Sequence, residues 1–131
     1  MQLDYFILTV ECCAWPVLLL WRHRVMPGYY TERLAAERLR ACYDLAPSRT
    51  KAYLDAEIEF VLSRTTPSML ALELGCGYVR VLGRLLPRVR MAFGIDTSPS
   101  SLCMALEYLG RKPSLRLACM NSVQMGFRDR L

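Results

Sequence analysis

The sequence predicts an α/β fold in which a doubly wound, parallel sheet follows a helical N-terminal segment. Short apolar segments, each of the length of a buried strand, occupy residues 69–74, 91–96 and 115–120. Helical patterns of apolar residues separate these segments, and glycines or polar residues follow each of them. This strand–helix–strand–helix–strand order favours right-handed crossovers, and therefore parallel strands.

The composition indicates one domain with a substantial core. The chain has 131 residues, of which 53% are apolar, and this excludes a disordered or low-complexity chain. The formal net charge is +5, but the arginines are scattered among carboxylates as on solvated helix faces, so we expect no primary nucleic-acid interface. Six cysteines without a CxxC pair, and a single histidine, argue against a zinc site and favour a reduced, cytoplasmic protein.

Residues 1–26 form an apolar N-terminal extension. Two apolar runs lie within residues 5–21, and a secretory signal would carry positive charge before them, where this chain has Asp4. Two interpretations stay open. The extension is either a segment outside the fold, with Met26 at the start of the regular pattern, or a membrane anchor over residues 5–21. We favour the first, because the apolar length is at the lower limit of a membrane helix and Glu11 lies inside it.

The pattern of residues 27–68 predicts helices. Thr31 can cap a first helix, and Pro47 can end it and open the next. The second helix has a core-facing stripe at i, i+4, i+7 and i+8. This stripe consists of Leu54, Ile58, Val61 and Leu62.

The stretch over residues 70–80 organises the predicted sheet. It begins as a buried strand, carries Glu73, and ends in Gly75 and Gly77. Backbone N–H groups of such a turn can face a ligand, because glycine has no Cβ to block the approach. The apolar spacing beyond it predicts a helix from about residue 79 to residue 86.

Polar residues also follow the other two strands. Asp96 ends the second strand, about 20 residues after Gly77, which is the distance at which a carboxylate binds ribose hydroxyls in nucleotide-binding units. Asn121 follows the third strand, although asparagine also favours turns on its own account. Ligands of open α/β sheets bind beyond the carboxyl ends of the strands, so these residues predict a nucleoside site.

Three motifs in order give a specific resemblance. A dinucleotide fingerprint would need glycine where this chain has Arg80, and the Gly-Lys-Ser/Thr of a phosphate loop is absent. Residues 72–78, 94–98 and 119–122 instead resemble the cofactor-binding motifs of class I S-adenosyl-L-methionine (SAM)-dependent methyltransferases, which have a Rossmann-like fold. The resemblance covers roughly residues 30–131 and makes residues 69–131 the SAM-binding half-domain.

The resemblance implies a set of cofactor contacts. Glu73 would hold the cationic amino end of the methionine moiety, Asp96 would bind the ribose hydroxyls, and Asn121 would accept from the adenine amine. Cys76 is also consistent with a filler in the turn. The residues that the resemblance places at SAM are Glu73, Gly75, Cys76, Gly77, Asp96, Thr97, Asn121, Ser122 and, as a lid residue, Tyr30.

The chain departs from the family pattern at three points. Val79 stands where the family usually has a third glycine, and a β-branched residue there requires a negative φ to be unstrained. Asn121 stands where an acid is common. The chain also stops where the fourth strand should begin, which leaves the first strand as an unpaired edge.

Two functions follow as hypotheses. The first is the cofactor-binding part of a truncated SAM-dependent methyltransferase, an enzyme with an unknown methyl acceptor and no assignable catalytic residue. The alternative is a non-catalytic, methyltransferase-like assembly module, in which a partner chain or a second copy covers the exposed sheet edge.

Overall fold

A computed structural model describes residues 28–127 of the chain. The interpretations of residues 1–26, including the membrane anchor over residues 5–21, lie outside these described residues. Between residues 28 and 127, no helix is both long enough and apolar enough to cross a membrane.

Three helices precede the sheet. They are α1 (Tyr29–Glu32), α2 (Ala36–Asp44) and α3 (Ser48–Leu62). Thr31 lies inside α1 and not before a helix, and its hydroxyl accepts the backbone N–H of Gly28 at 2.8 Å. Its predicted capping position is therefore wrong, because α1 begins at Tyr29 and has Gly28 as its N-cap. A separate helix, α2, begins at Ala36, which has a left-handed φ of +47°.

Helix α3 follows the prediction closely. It begins directly after Pro47, and it ends at Leu62. Ile58 and Leu62 are buried in a small core cluster with Leu85, while Leu54 is half-buried. The apolar spacing of this helix thus identifies its core-facing side.

The sheet has the predicted parallel arrangement. Its strands β1 (Leu70–Leu74), β2 (Met91–Asp96) and β3 (Leu115–Cys119) lie in the order β1-β2-β3. Leu72 lies opposite Phe93, and Phe93 lies opposite Arg116. Helix α5 (Pro99–Leu109) connects β2 to β3, and the Ser98 hydroxyl caps it by accepting the Ser101 N–H at 3.2 Å.

The first crossover differs from the prediction. The expected helix over residues 79–86 is reduced to α4 (Leu82–Leu85) and a 3₁₀ turn over Leu86–Arg88. Val79 has a φ of +68°, which a right-handed helix cannot accommodate, so the helix begins only beyond it. Val79 therefore lacks the negative φ that a β-branched residue at this position needs to be unstrained.

Helices α4 and α5 cover one face of the sheet, whereas the opposite face is exposed at β1. The covered face carries Ala71 and Ala92, which lie opposite each other. On the open face, Leu70, Leu72 and Leu74 keep 56%, 47% and 52% of their surface exposed. Among the described residues β1 pairs with β2 alone, so it is an edge strand as predicted.

The buried members of the main core are Cys76, Val79, Leu82, Leu86, Val89, Ala92, Leu102, Ala105 and Leu115.

Candidate functional site

A cavity of about 320 Å³ lies at the carboxyl ends of the strands, where an open parallel sheet binds ligands. Its walls come from the N-terminal helical segment, from the turns after β1 and β2, from α5 and from the residues after β3. The lining residues are Leu34, Leu39, Tyr43, Gly75, Asp96, Thr97, Ser101, Met120 and Ser122. Four of the residues named from the sequence are in this set: Gly75, Asp96, Thr97 and Ser122.

Asp96 is fixed in the cavity by two backbone donors. Its Oδ2 accepts the N–H of Gly77 at 2.8 Å, and its Oδ1 accepts the N–H of Ser98 at 2.8 Å. Each carboxylate oxygen has a second lone pair, so two acceptor positions are left for a ligand. A carboxylate that is oriented in advance and only accepts hydrogen bonds suits a ligand that offers two hydroxyl donors.

The N–H groups of the glycine turn bond to β2, so they do not face the cavity as we expected. The amides of Gly75 and Cys76 both donate to the carbonyl of Ile95, at 2.8 Å and 3.0 Å. Gly77 donates to Asp96. The turn therefore serves the site by positioning Asp96.

The two glycines of the turn have different reasons to be glycine. Gly75 has a φ of +70°, and a Cβ there would meet no other described atom within 4 Å. Gly77 has a φ of +51°, and its Cβ would come within 3.0 Å of the Leu39 side chain. Gly75 thus leaves open space beside the cavity, whereas Gly77 allows α2 to approach the turn.

Cys76 does not reach the cavity with its side chain. The side chain is 4% exposed and belongs to the main core. A Cβ added to Gly94 would come within 2.8 Å of the Cys76 sulfur, so the thiol fills the space that Gly94 leaves. Burial raises the pKa of the thiol. The side chain therefore packs in the core, which agrees with the interpretation of Cys76 as a filler of the turn.

Glu73 also lies away from the cavity lining, on the helix-covered side of β1. Burial raises the pKa of its carboxyl from 4.5 to about 7, and a hydrogen bond from the Leu82 backbone and the charge of Arg80 offset only part of this rise. Its Oε2 is buried without a hydrogen-bond partner among the described residues. A buried, unpaired carboxylate oxygen is costly, so this atom is a ready acceptor for a cationic group or a water molecule.

Asn121 is engaged in a local turn. Its Oδ1 accepts the N–H of Val123 at 2.9 Å, and the residue is exposed and outside the cavity lining. An asparagine can satisfy its own backbone in this way, and this is the competing role that the sequence left open. The neighbouring Met120 and Ser122 line the cavity in its place.

The backbone of Tyr30 belongs to α1, and its side chain is not among the described parts of the structure.

Helix α2 contributes the wall that the sequence did not predict. Leu39 and Tyr43 line the cavity from this helix, and Ser101 joins them from α5. The backbone N–H of Ala36 donates to the Ser101 hydroxyl at 2.9 Å across 65 positions of the chain. The approach of α2 to the turn is a long-range contact without a local motif.

Comparisons with known proteins agree with this architecture. The chain matches no family model and no curated protein sequence. Among solved structures it is similar to the N-methyltransferase NodS from Bradyrhizobium japonicum WM9 in complex with S-adenosyl-L-homocysteine (SAH). The TM-score is 0.55 at 20% identity, over 65% of this chain and 43% of that chain. The YcgJ protein from Bacillus subtilis has a TM-score of 0.50 at 14% identity, over 56% of this chain and 33% of that one.

These similarities identify the fold. The described part of the chain has the Rossmann-like fold of the class I SAM-dependent methyltransferases. The chain spans less than half the length of the two solved structures.

Proposed function

We propose that the chain binds SAM at the cavity above Asp96 and forms the cofactor-binding part of a methyltransferase. The observation that carries this proposal is the Asp96 carboxylate, held by the N–H groups of Gly77 and Ser98 with two acceptor positions free. Those positions suit the vicinal hydroxyls of a ribose. The similarity to a methyltransferase that was crystallised with SAH supports the same ligand class.

The residues of the cavity divide between the parts of this ligand. Leu34, Leu39 and Met120 offer apolar surface for the adenine ring, and Gly75 leaves space beside the strand end. The unpaired Oε2 of Glu73 lies away from the cavity lining, so it would hold the ammonium group of the methionine moiety through water. Asn121 remains a proposed adenine contact only if its turn rearranges.

Bound SAM would supply an electrophilic methyl group for direct displacement by an acceptor. The described residues contribute binding and orientation to that reaction, which by itself accounts for much of the rate of a two-substrate transfer. No described residue is assigned as a general base.

Calorimetric titration of the full chain with SAH tests the binding proposal. We expect saturable binding, and we expect Asp96→Asn to weaken it about tenfold to hundredfold, because hydrogen bonds to a charged acceptor are lost. Asp55→Asn, an exposed carboxylate on α3, is the matched control and should leave the affinity unchanged. No binding by the folded wild type at millimolar SAH, or equal affinity of the Asp96→Asn variant, would overturn the proposal.

We propose as a second function that β1 pairs with another chain. The Met69 carbonyl accepts the Arg90 N–H and the Gly75 N–H donates to Ile95, so these residues direct their backbone groups toward β2. The alternation of a strand then directs the N–H and C=O groups of Leu70, Leu72 and Leu74 away from the sheet. An antiparallel second copy centred on Leu72 would pair all of these groups and bring the half-exposed leucines together on one face.

A further inference from the structure

Arg80 joins three parts of the molecule beside the glycine turn. Its Nη1 donates to the carbonyl of Leu54 at 3.1 Å, and its Nη2 donates to Oε2 of Glu57 at 3.1 Å. Both acceptors belong to α3. The Cζ atom lies 5.1 Å from the centre of the Tyr43 ring on α2, and the Arg80 side chain is 21% exposed. The guanidinium is thus hydrogen-bonded to α3 while its Cζ atom lies over the Tyr43 ring of α2.

Tyr43 connects this contact to the cavity. The ring is half-buried, lines the cavity, and lies 6.0 Å from the Tyr78 ring at an interplanar angle of 54°. Tyr78 belongs to the turn that positions Asp96. Tyr43 therefore has the cavity, the turn and the Arg80 guanidinium as its neighbours.

Helix α2 packs on the rest of the fold with side chains that are at most partly buried. Its N-terminal end is attached to α5 by the hydrogen bond from Ala36 to Ser101. Its C-terminal end has the contacts of Tyr43 with Tyr78 and Arg80, and Lys51 Nζ on α3 donates to the carbonyl of Asp44 at 2.6 Å. The position of this cavity wall thus depends on a small number of specific contacts.

We propose that Arg80 is a positioning residue of the nucleoside site, which holds Tyr43 and the C-terminal end of α2 against the cavity. An arginine can do this because a planar guanidinium donates along its edge and stacks with its face at the same time, whereas a lysine ammonium cannot. The identity of the ligand rests on the proposed function, but the attachment of α2 does not.

The chain provides a matched control for this role. Arg84 bonds to Glu59 at 2.6 Å and so links the same region to α3 by an ion pair. Both of these side chains are more than half exposed, and Arg84 is not a cavity-lining residue. Arg84→Met therefore removes a similar charge and ion pair without touching Tyr43.

Amide hydrogen exchange of the ligand-free chain tests the positioning role directly. We expect Arg80→Met to increase exchange about fivefold at the C-terminal end of α2, as the loss of a partly exposed cation–π contact predicts. Arg84→Met should leave α2 at the wild-type rate. Arg80→Lys, which keeps the charge, should resemble Arg80→Met in α2 and substitutes for it if the methionine variant does not fold. Equal exchange of α2 in wild type and Arg80 variants would overturn the proposal.

Calorimetry with SAH provides the second measurement. We expect Arg80→Met to bind SAH about fivefold more weakly than wild type, and the double variant with Tyr43→Ala to be no weaker than Tyr43→Ala alone. Additive losses in the double variant would contradict a role through Tyr43. If the wild type itself does not bind SAH, the proposed function fails, while the exchange rates of α2 still decide the role of Arg80.

Discussion

Replacing Val79 by alanine and by glycine measures the cost of its left-handed backbone. Val79 has a φ of +68° and is 1% exposed, so burial favours its side chain while the backbone conformation disfavours it. Val89 is a matched control, because it is also buried, at 8% exposure, but has an extended φ of −127°. At each position we compare the free energies of unfolding of the alanine and the glycine variant, and we call their difference the alanine-to-glycine step.

The magnitude follows from three terms. Going from alanine to glycine loses about 0.8 kcal/mol of burial and about 0.5–1 kcal/mol through chain entropy. At Val89 we therefore expect Val89→Gly to be about 1.5 kcal/mol less stable than Val89→Ala. At Val79 glycine also removes about 1–2 kcal/mol of left-handed backbone cost, so the two variants should be nearly equally stable.

Urea denaturation followed by circular dichroism provides the free energies of unfolding. The prediction is that the alanine-to-glycine step differs by about 1–2 kcal/mol between the two positions. Equal steps at Val79 and Val89 would refute a left-handed residue 79. Because each position is compared with itself, the lost isopropyl contacts cancel to a large extent.

Two further predictions concern Glu73 and the edge strand. The raised pKa of Glu73 means that the native state holds this proton more tightly than the unfolded chain, so stability falls as pH rises from 4.5 to about 7. Glu73→Gln should flatten this part of the pH profile of the free energy of unfolding. Leu72→Lys should convert a concentration-dependent dimer into a monomer in light scattering after size exclusion, because it places a charge at the centre of the paired edge.

Controls separate these effects from general damage. An unchanged slope between pH 4.5 and pH 7 in Glu73→Gln would show that other groups cause the pH dependence. Tyr53→Lys replaces a side chain on α3 that is 74% exposed, and it should leave the oligomeric state as in wild type. A wild type that stays monomeric at high concentration counts against self-pairing through β1.

The strands and the polar residue after β2 were predictable because local patterns determine them. Each strand was placed to within one residue, since an apolar run ends at a glycine or polar residue. Asp96 was named from its position at the end of β2, and it lines the cavity. The hydrogen bond that its carboxylate accepts from the Gly77 N–H was not predictable, since it depends on how the glycine turn closes on β2.

The remaining parts of the site depend on long-range contacts or on a choice between two local solutions. Asn121 suits both a turn and an adenine contact, and the structure uses its amide in the turn. Tyr43 and Arg80 carry no motif, because their roles arise where two helices, α2 and α3, meet the turn that follows β1. The sequence marked Val79 only as a position where a negative φ was needed, and its positive φ of +68° depends on how the turn closes.

The hydrogen bond between Ala36 and Ser101 has a consequence for the order of folding. Ser101 lies in the first turn of α5, so its hydroxyl is in place only after α5 has formed on the sheet. Ala36 has a left-handed φ of +47°, which a single bond of this kind helps to maintain. We therefore expect the wall formed by α2 to form after α5, and its amides to exchange before those of the sheet.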